Sequence, residues 1–187
     1  GTIGEGTSLT LSEKVEVLRA TVEVAGGKVP VLSGIAEFTT QGACDTVKAA
    51  GEAGVDGIML LPAMVYKSDA RETIAHFRTV ANSTHLPIMC YNNPPVYRVD
   101  ITPEMFKELI DVENIVVIKE ASGDVRRITD LFNALNDRFL IFAGLDDVAL
   151  ESFMLGCTGW ISGLVDAFPQ ENRALWDAAM SGDYERA

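Results

Sequence analysis

Short apolar runs rich in β-branched residues alternate along the chain with longer stretches of amphipathic periodicity. The short runs fall at residues 29–33, 57–61, 86–91, 115–119, 139–142 and 158–162, each bounded by Gly, Pro or Asn. Their near-continuous apolarity predicts strands buried on both faces. The longer stretches predict helices over 12–25, 40–53, 69–82, 102–111, 125–135, 148–155 and 169–180. Local signals support these spans. Ser12 stands before Glu13-Lys14, Thr102-Pro103-Glu104 puts proline in a first turn, and Asp124 precedes an amphipathic run. Gly26-Gly27, Gly54 and Gly156 are placed to stop helices.

The order is a helix followed by six strand–helix units, which requires a parallel sheet, either open or closed into a barrel. An open sheet of six strands would be complete, whereas a (β/α)8 barrel needs two more strands. Gly1-Thr2-Ile3-Gly4-Glu5 reads as a loop leaving a strand that is not present, and Arg186-Ala187 follow just after a helix stop at Gly182. The barrel is therefore favoured, with residues 1–187 forming one partial TIM-barrel domain. No sequence repeat, low-complexity tract or linker divides the chain.

Composition narrows the partners. A formal charge of −12 argues against nucleic acid or an anionic membrane. With 48% hydrophobic and 22% charged residues the chain can bury a core, yet its apolar runs are too short to cross a bilayer. Cys44, Cys90 and Cys157 stand far apart with no CxxC pair, as in a reduced cytoplasmic protein. His76 and His85 have no second ligand at metal spacing, so no metal is expected. Asp146-Asp147 read as a helix cap, Trp160 and Trp176 as packing residues, and Arg126-Arg127 as a solvated helix face.

Two strand ends carry chemistry. The run Val116-Val117-Ile118-Lys119 ends in a lysine, and a buried ammonium is costly to desolvate. Desolvation favours the neutral amine, which can attack a carbonyl to form a Schiff base. A strand-end lysine paired with Glu120 or another carboxylate is the alternative. Met89-Cys90-Tyr91 likewise ends in a phenol, which can relay protons or serve packing alone. On adjacent βα units the two would meet at the C-terminal rim of a barrel. The glycine-rich start, residues 1–6, offers backbone N–H groups and the Thr2 hydroxyl to a carboxylate. It lacks the dinucleotide fingerprint and the nucleotide P-loop ending.

Gly1-Thr2-x-Gly4-Glu5, Ser8-Leu9 with Glu13-Lys14, Tyr91-Asn92-x-Pro94 and Ile118-Lys119-Glu120-Ala121-Ser122-Gly123-Asp124 occur in that order. Together they resemble the dihydrodipicolinate synthase / N-acetylneuraminate lyase family of class I aldolases and dehydratases. The resemblance implies a (β/α)8 barrel of which strands three to eight are present, the first two strands and the C-terminal helices being absent. It implies no metal or organic cofactor, a small 2-oxo or 2-imino acid as substrate, and a homotetramer. It assigns the Schiff-base lysine to Lys119 and the proton-shuttling tyrosine to Tyr91. The substrate carboxylate falls to Thr2 and the backbone of Ile3, and a carbonyl facing the Schiff base to Ile161.

The resemblance also raises an expectation about activity. Dihydrodipicolinate synthases carry a second threonine where this chain has Ile3, a Tyr-Tyr pair where it has Ala63-Met64, and an arginine where it has Val96. Arg98 offers a shifted cation. These departures disfavour synthase activity. The stretch Asn92–Asp100 with Asp124–Arg127 resembles the 1-pyrroline-4-hydroxy-2-carboxylate deaminase subgroup, so a deaminase is expected. An aldolase or dehydratase of a sugar-derived 2-oxo acid, and a non-catalytic 2-oxo acid sensor, are the alternatives.

Overall fold

The computed structural model describes residues 4–187. Six strands, β1 (Leu32–Ile35), β2 (Gly57–Leu60), β3 (Ile88–Asn92), β4 (Ile115–Glu120), β5 (Leu140–Ala143) and β6 (Gly159–Trp160), form one sheet in sequence order. Every neighbouring pair is parallel, and no pairing joins β6 back to β1 among the described residues. The arrangement is six units of a (β/α)8 barrel, curled but unclosed.

Helix α1 (Leu11–Ala25) precedes the sheet, and α2 (Thr40–Glu52) and α3 (Ala70–Asn82) follow β1 and β2. Short α4 (Pro94–Tyr97) and α5 (Pro103–Lys107) lie between β3 and β4. Helices α6 (Arg126–Leu135), α7 (Ala149–Met154) and α8 (Pro169–Met180) complete the order. The seven predicted helices are all present in place, and α4 is additional.

Strand alternation sorts the side chains. Ile35, Ile58, Leu60, Ile88, Cys90, Ile118 and Ile141 share a core with Val47, Phe77, Val80, Phe106, Leu131 and Phe153 from the helices. Burying each large apolar side chain contributes about 1.5–3 kcal/mol, so this layer holds the sheet's curl. The residues between them, Met59, Tyr91 and Lys119, consequently face the concave side.

Several local expectations need correction. The first strand begins at Leu32 rather than at residue 29, because the Val31 N–H donates to Asp56 Oδ2 (2.7 Å) outside the ladder. The cap of α1 is Thr10, not Ser12: Thr10 and Glu13 form a reciprocal capping box. Asp146-Asp147 do not cap α7, whose N-terminus has no side-chain cap; Asp146 Oδ2 accepts from the Leu164 N–H (3.0 Å) instead. Arg127 is no solvated face residue, since it pairs with Asp100 through two hydrogen bonds of 2.7 and 2.9 Å. Trp160 and Trp176 do pack, both edge-on to Phe153. No described helix is long and apolar enough to cross a membrane.

Candidate active site

Tyr91 and Lys119 are register partners near the C-terminal ends of β3 and β4. Parallel pairing with a period of two therefore aims both side chains at the same side of the sheet. Lys119 is only 6% exposed, and its Nζ lies 3.8 Å from the centre of the Tyr91 ring. They line a cavity of about 350 Å³ together with Gly4, Met59, Leu61, Asn93, Tyr97, Asp146, Ile161 and Ser162. Thr2 and Ile3, the other two predicted site residues, lie outside the described residues.

Burial sets the electrostatics. Desolvation pulls the Lys119 amine down from 10.5 to about 8, against the opposing charge of Asp146. Roughly a tenth of the amine is then neutral near pH 7, against a negligible fraction for a solvated lysine. The Tyr91 phenol is pushed up by burial, opposed by the Asn93 side chain, whose Nδ2 donates to the phenolic oxygen at 2.9 Å. That bond leaves the Tyr91 O–H proton available. Tyr97 stacks edge-on against the Tyr91 ring at 5.6 Å and restricts its rotation.

Glu120 is not the partner of Lys119. It points to the opposite face, where Asn92 Nδ2 donates to it at 3.0 Å and the Ser122 N–H at 2.6 Å. The pairing of Lys119 with Glu120 is thereby removed, and Asp146 is the carboxylate whose charge acts on the amine. Among the cavity residues that went unrecognised in the sequence are Asn93, Tyr97 and Asp146. Asn93 and Tyr97 flank the tyrosine motif, a signal that was available, whereas Asp146 was masked by its resemblance to a cap. Among the described residues its buried Oδ1 has no hydrogen-bond partner. Among the described residues no group of three His, Cys, Asp or Glu side chains is placed to hold a metal.

Residues 1–187 match the model of the dihydrodipicolinate synthetase family along their whole length. The chain belongs to that family. It is 38% identical over 187 residues to a 4-hydroxy-tetrahydrodipicolinate synthase of Shewanella baltica, covering all of this chain and 64% of the relative. A synthase of the same name from Clostridium perfringens is 34% identical over 183 residues, 98% of this chain and 63% of the relative. Among solved structures, dihydrodipicolinate synthase of Aquifex aeolicus superposes with a TM-score of 0.94 at 34% identity, covering all of this chain and 64% of that one. A chloride-inhibited dihydrodipicolinate synthase of Acinetobacter baumannii in complex with pyruvate gives 0.94 at 30%, with the same coverage. The chain thus spans just under two thirds of the length of the family members it matches.

These relatives overturn the deaminase expectation and the exclusion of synthase activity. The structure explains the error. Asp100 pairs with Arg127, and Asp124 with Arg126, so the stretches that suggested the subgroup hold loops in place. Ala63, Met64 and Val96 do not line the Lys119 cavity, and Val96 is exposed. Arg98 is exposed at the left-handed end of α4 and does not line it either.

Proposed function

We propose that this chain carries the reaction centre of a class I lyase of the 4-hydroxy-tetrahydrodipicolinate synthase type, with Lys119 as nucleophile toward a small 2-oxo acid. The neutral amine attacks the ketone carbon, and the resulting carbinolamine loses water to give an imine. Tyr91 supplies and recovers the protons of these steps. Removal of a proton from the carbon next to the imine gives an enamine, which forms a carbon–carbon bond with a carbonyl partner. Water then releases the product and restores the amine. Asn93 orients Tyr91, and Ile161 contributes to the wall facing the imine. Thr2 and the backbone of Ile3 complete the proposal as holders of the substrate carboxylate.

The observation that carries this reading is the buried Lys119 amine 3.8 Å over the Tyr91 ring in an open cavity. The names of the relatives, and the pyruvate in one of their structures, support the substrate class. The proposal extends to a homo-oligomer, by the family's habit, and to the cytoplasm, supported by three free cysteines. Borohydride reduction in the presence of pyruvate tests the chemistry. Wild-type protein should gain one reduced adduct, and Lys119→Ala and Lys119→Arg should gain none, since a guanidinium stays protonated. An adduct surviving in either variant would place the nucleophile elsewhere.

A further inference from the structure

Behind the catalytic pair, on the opposite face of the same two strands, lies a buried polar chain. Asn92 is fully buried and Glu120 is 6% exposed. They are register partners and form the last rung between β3 and β4, directly after the Tyr91–Lys119 rung. Asn92 uses both of its amide N–H groups and its carbonyl oxygen there. Its Nδ2 donates to Glu120 Oε2 (3.0 Å) and to Asp100 Oδ1 (3.3 Å), and its Oδ1 accepts from the Ile101 N–H (2.9 Å). Glu120 Oε1 accepts from the Ser122 N–H at 2.6 Å, and Asp100 is clamped by Arg127. The chain therefore ties the end of β3, the end of β4, the loop entering α5 and the first turn of α6.

A carboxyl and an amide are expensive to bury, and apolar side chains would pack this face at lower cost. What the polar chain adds is direction. Beyond this rung the ladder is nearly finished, with only Ala121 N–H to Asn92 O (2.9 Å) and Gly144 N–H to Glu120 O (2.8 Å) continuing it. Consecutive residues on a strand share a peptide plane, so a twist at Asn92 or Glu120 turns the Cα–Cβ bonds of Tyr91 and Lys119. Reacting groups must be held within about 0.5 Å and 10–20° to keep their advantage, and a 1 Å misplacement costs roughly 10²-fold. We infer that Asn92 and Glu120 are positioning residues: their side-chain bridge sets the Lys119–Tyr91 geometry through the shared last rungs of β3 and β4. The inference rests on the Schiff-base reading above.

Two changes of nearly unaltered shape separate positioning from bulk stability. Glu120→Gln turns one acceptor into a donor, so either the Asn92 or the Ser122 contact is lost. Adding Asn92→Asp reverses the bridge. The new amide at 120 donates to the new carboxylate at 92 and Ser122 and Ile101 keep their acceptors, while the contact with Asp100 is given up and its carboxylate stays with Arg127. Borohydride trapping with pyruvate counts competent sites. Exchange of the pyruvate methyl protons with deuterated water, followed by NMR, reports proton transfer at each of them. Glu120→Gln should lower exchange per trapped site by about 10–100-fold with the pyruvate KM changed less than about threefold, and the double variant, which restores the bridge without the Asp100 contact, should recover part of it. Exchange per trapped site equal to wild type in Glu120→Gln would overturn the inference, even if fewer sites were trapped. Wild-type protein that traps no pyruvate would instead overturn the Schiff-base reading itself.

Discussion

Replacing Lys119 by methionine should make the protein more stable while abolishing its chemistry. Methionine keeps the length and flexibility of the lysine stem and removes only the charge that burial disfavours. Lys119 binds its proton less tightly folded, at about 8, than solvated, at 10.5. Between those values the unfolded chain holds the proton and the folded chain does not, so stability rises with pH across that window. Below it the full cost is felt, which for 2.5 units is about 3 kcal/mol at pH 7, as an upper bound where water reaches the amine. Lys119→Met removes that cost. Urea denaturation of both proteins at a series of pH values measures it. The stability gain of the variant should be largest near pH 7 and shrink progressively as the pH passes from about 8 to 10.5. Other titrating groups largely cancel in the difference. A variant less stable at pH 7, or one whose gain does not change with pH, would refute the claim that Lys119 is held in a desolvating site.

Three further outcomes follow from the same geometry. Asp146 favours the charged amine, so Asp146→Asn should move the acid limb of pyruvate trapping to lower pH; an unmoved or upward-shifted limb would show that the Asp146 charge does not reach Lys119. Gly144→Ala would set a Cβ 2.7 Å from the Glu120 carbonyl oxygen and 2.8 Å from the Ala121 Cβ, both held by the ladder. Overpacking of that kind costs roughly 1–3 kcal/mol, read as a lowered denaturation midpoint, and an unchanged midpoint would mean the strand ends yield freely. Tyr91→Phe should retain trapping but lose about 10²–10⁴-fold in pyruvate proton exchange per site, while near-normal exchange would leave Tyr91 a packing residue.

The strand–helix alternation was legible because near-continuous apolar runs and amphipathic patterns report burial directly. So was the pairing of Tyr91 with Lys119, since parallel neighbours whose polar residues close their apolar runs bring those residues to one rim. The ends of elements were less legible, because they answer to hydrogen bonds outside the regular helix and ladder patterns. Asp56 draws the Val31 N–H out of the first strand, and the predicted helix over 102–111 stops at Lys107, where Leu109 and Val112 turn back to Phe106 and Leu109. Polar residues with two possible employments misled most. Asp146 looked like a cap and faces the cavity; Arg127 looked solvated and clamps Asp100. The Asn92–Glu120 bridge joins positions 28 residues apart and becomes visible only once the strands are in register.

The proposed chemistry stands on Lys119 as the residue that captures a 2-oxo acid. Reducing the protein with borohydride in the presence of pyruvate, digesting it and mapping the modified peptide by mass spectrometry tests this most directly. One modified site is expected, at Lys119, in the peptide spanning the end of β4. An adduct on Lys14, Lys67 or any other amine, with Lys119 unmodified, would contradict it.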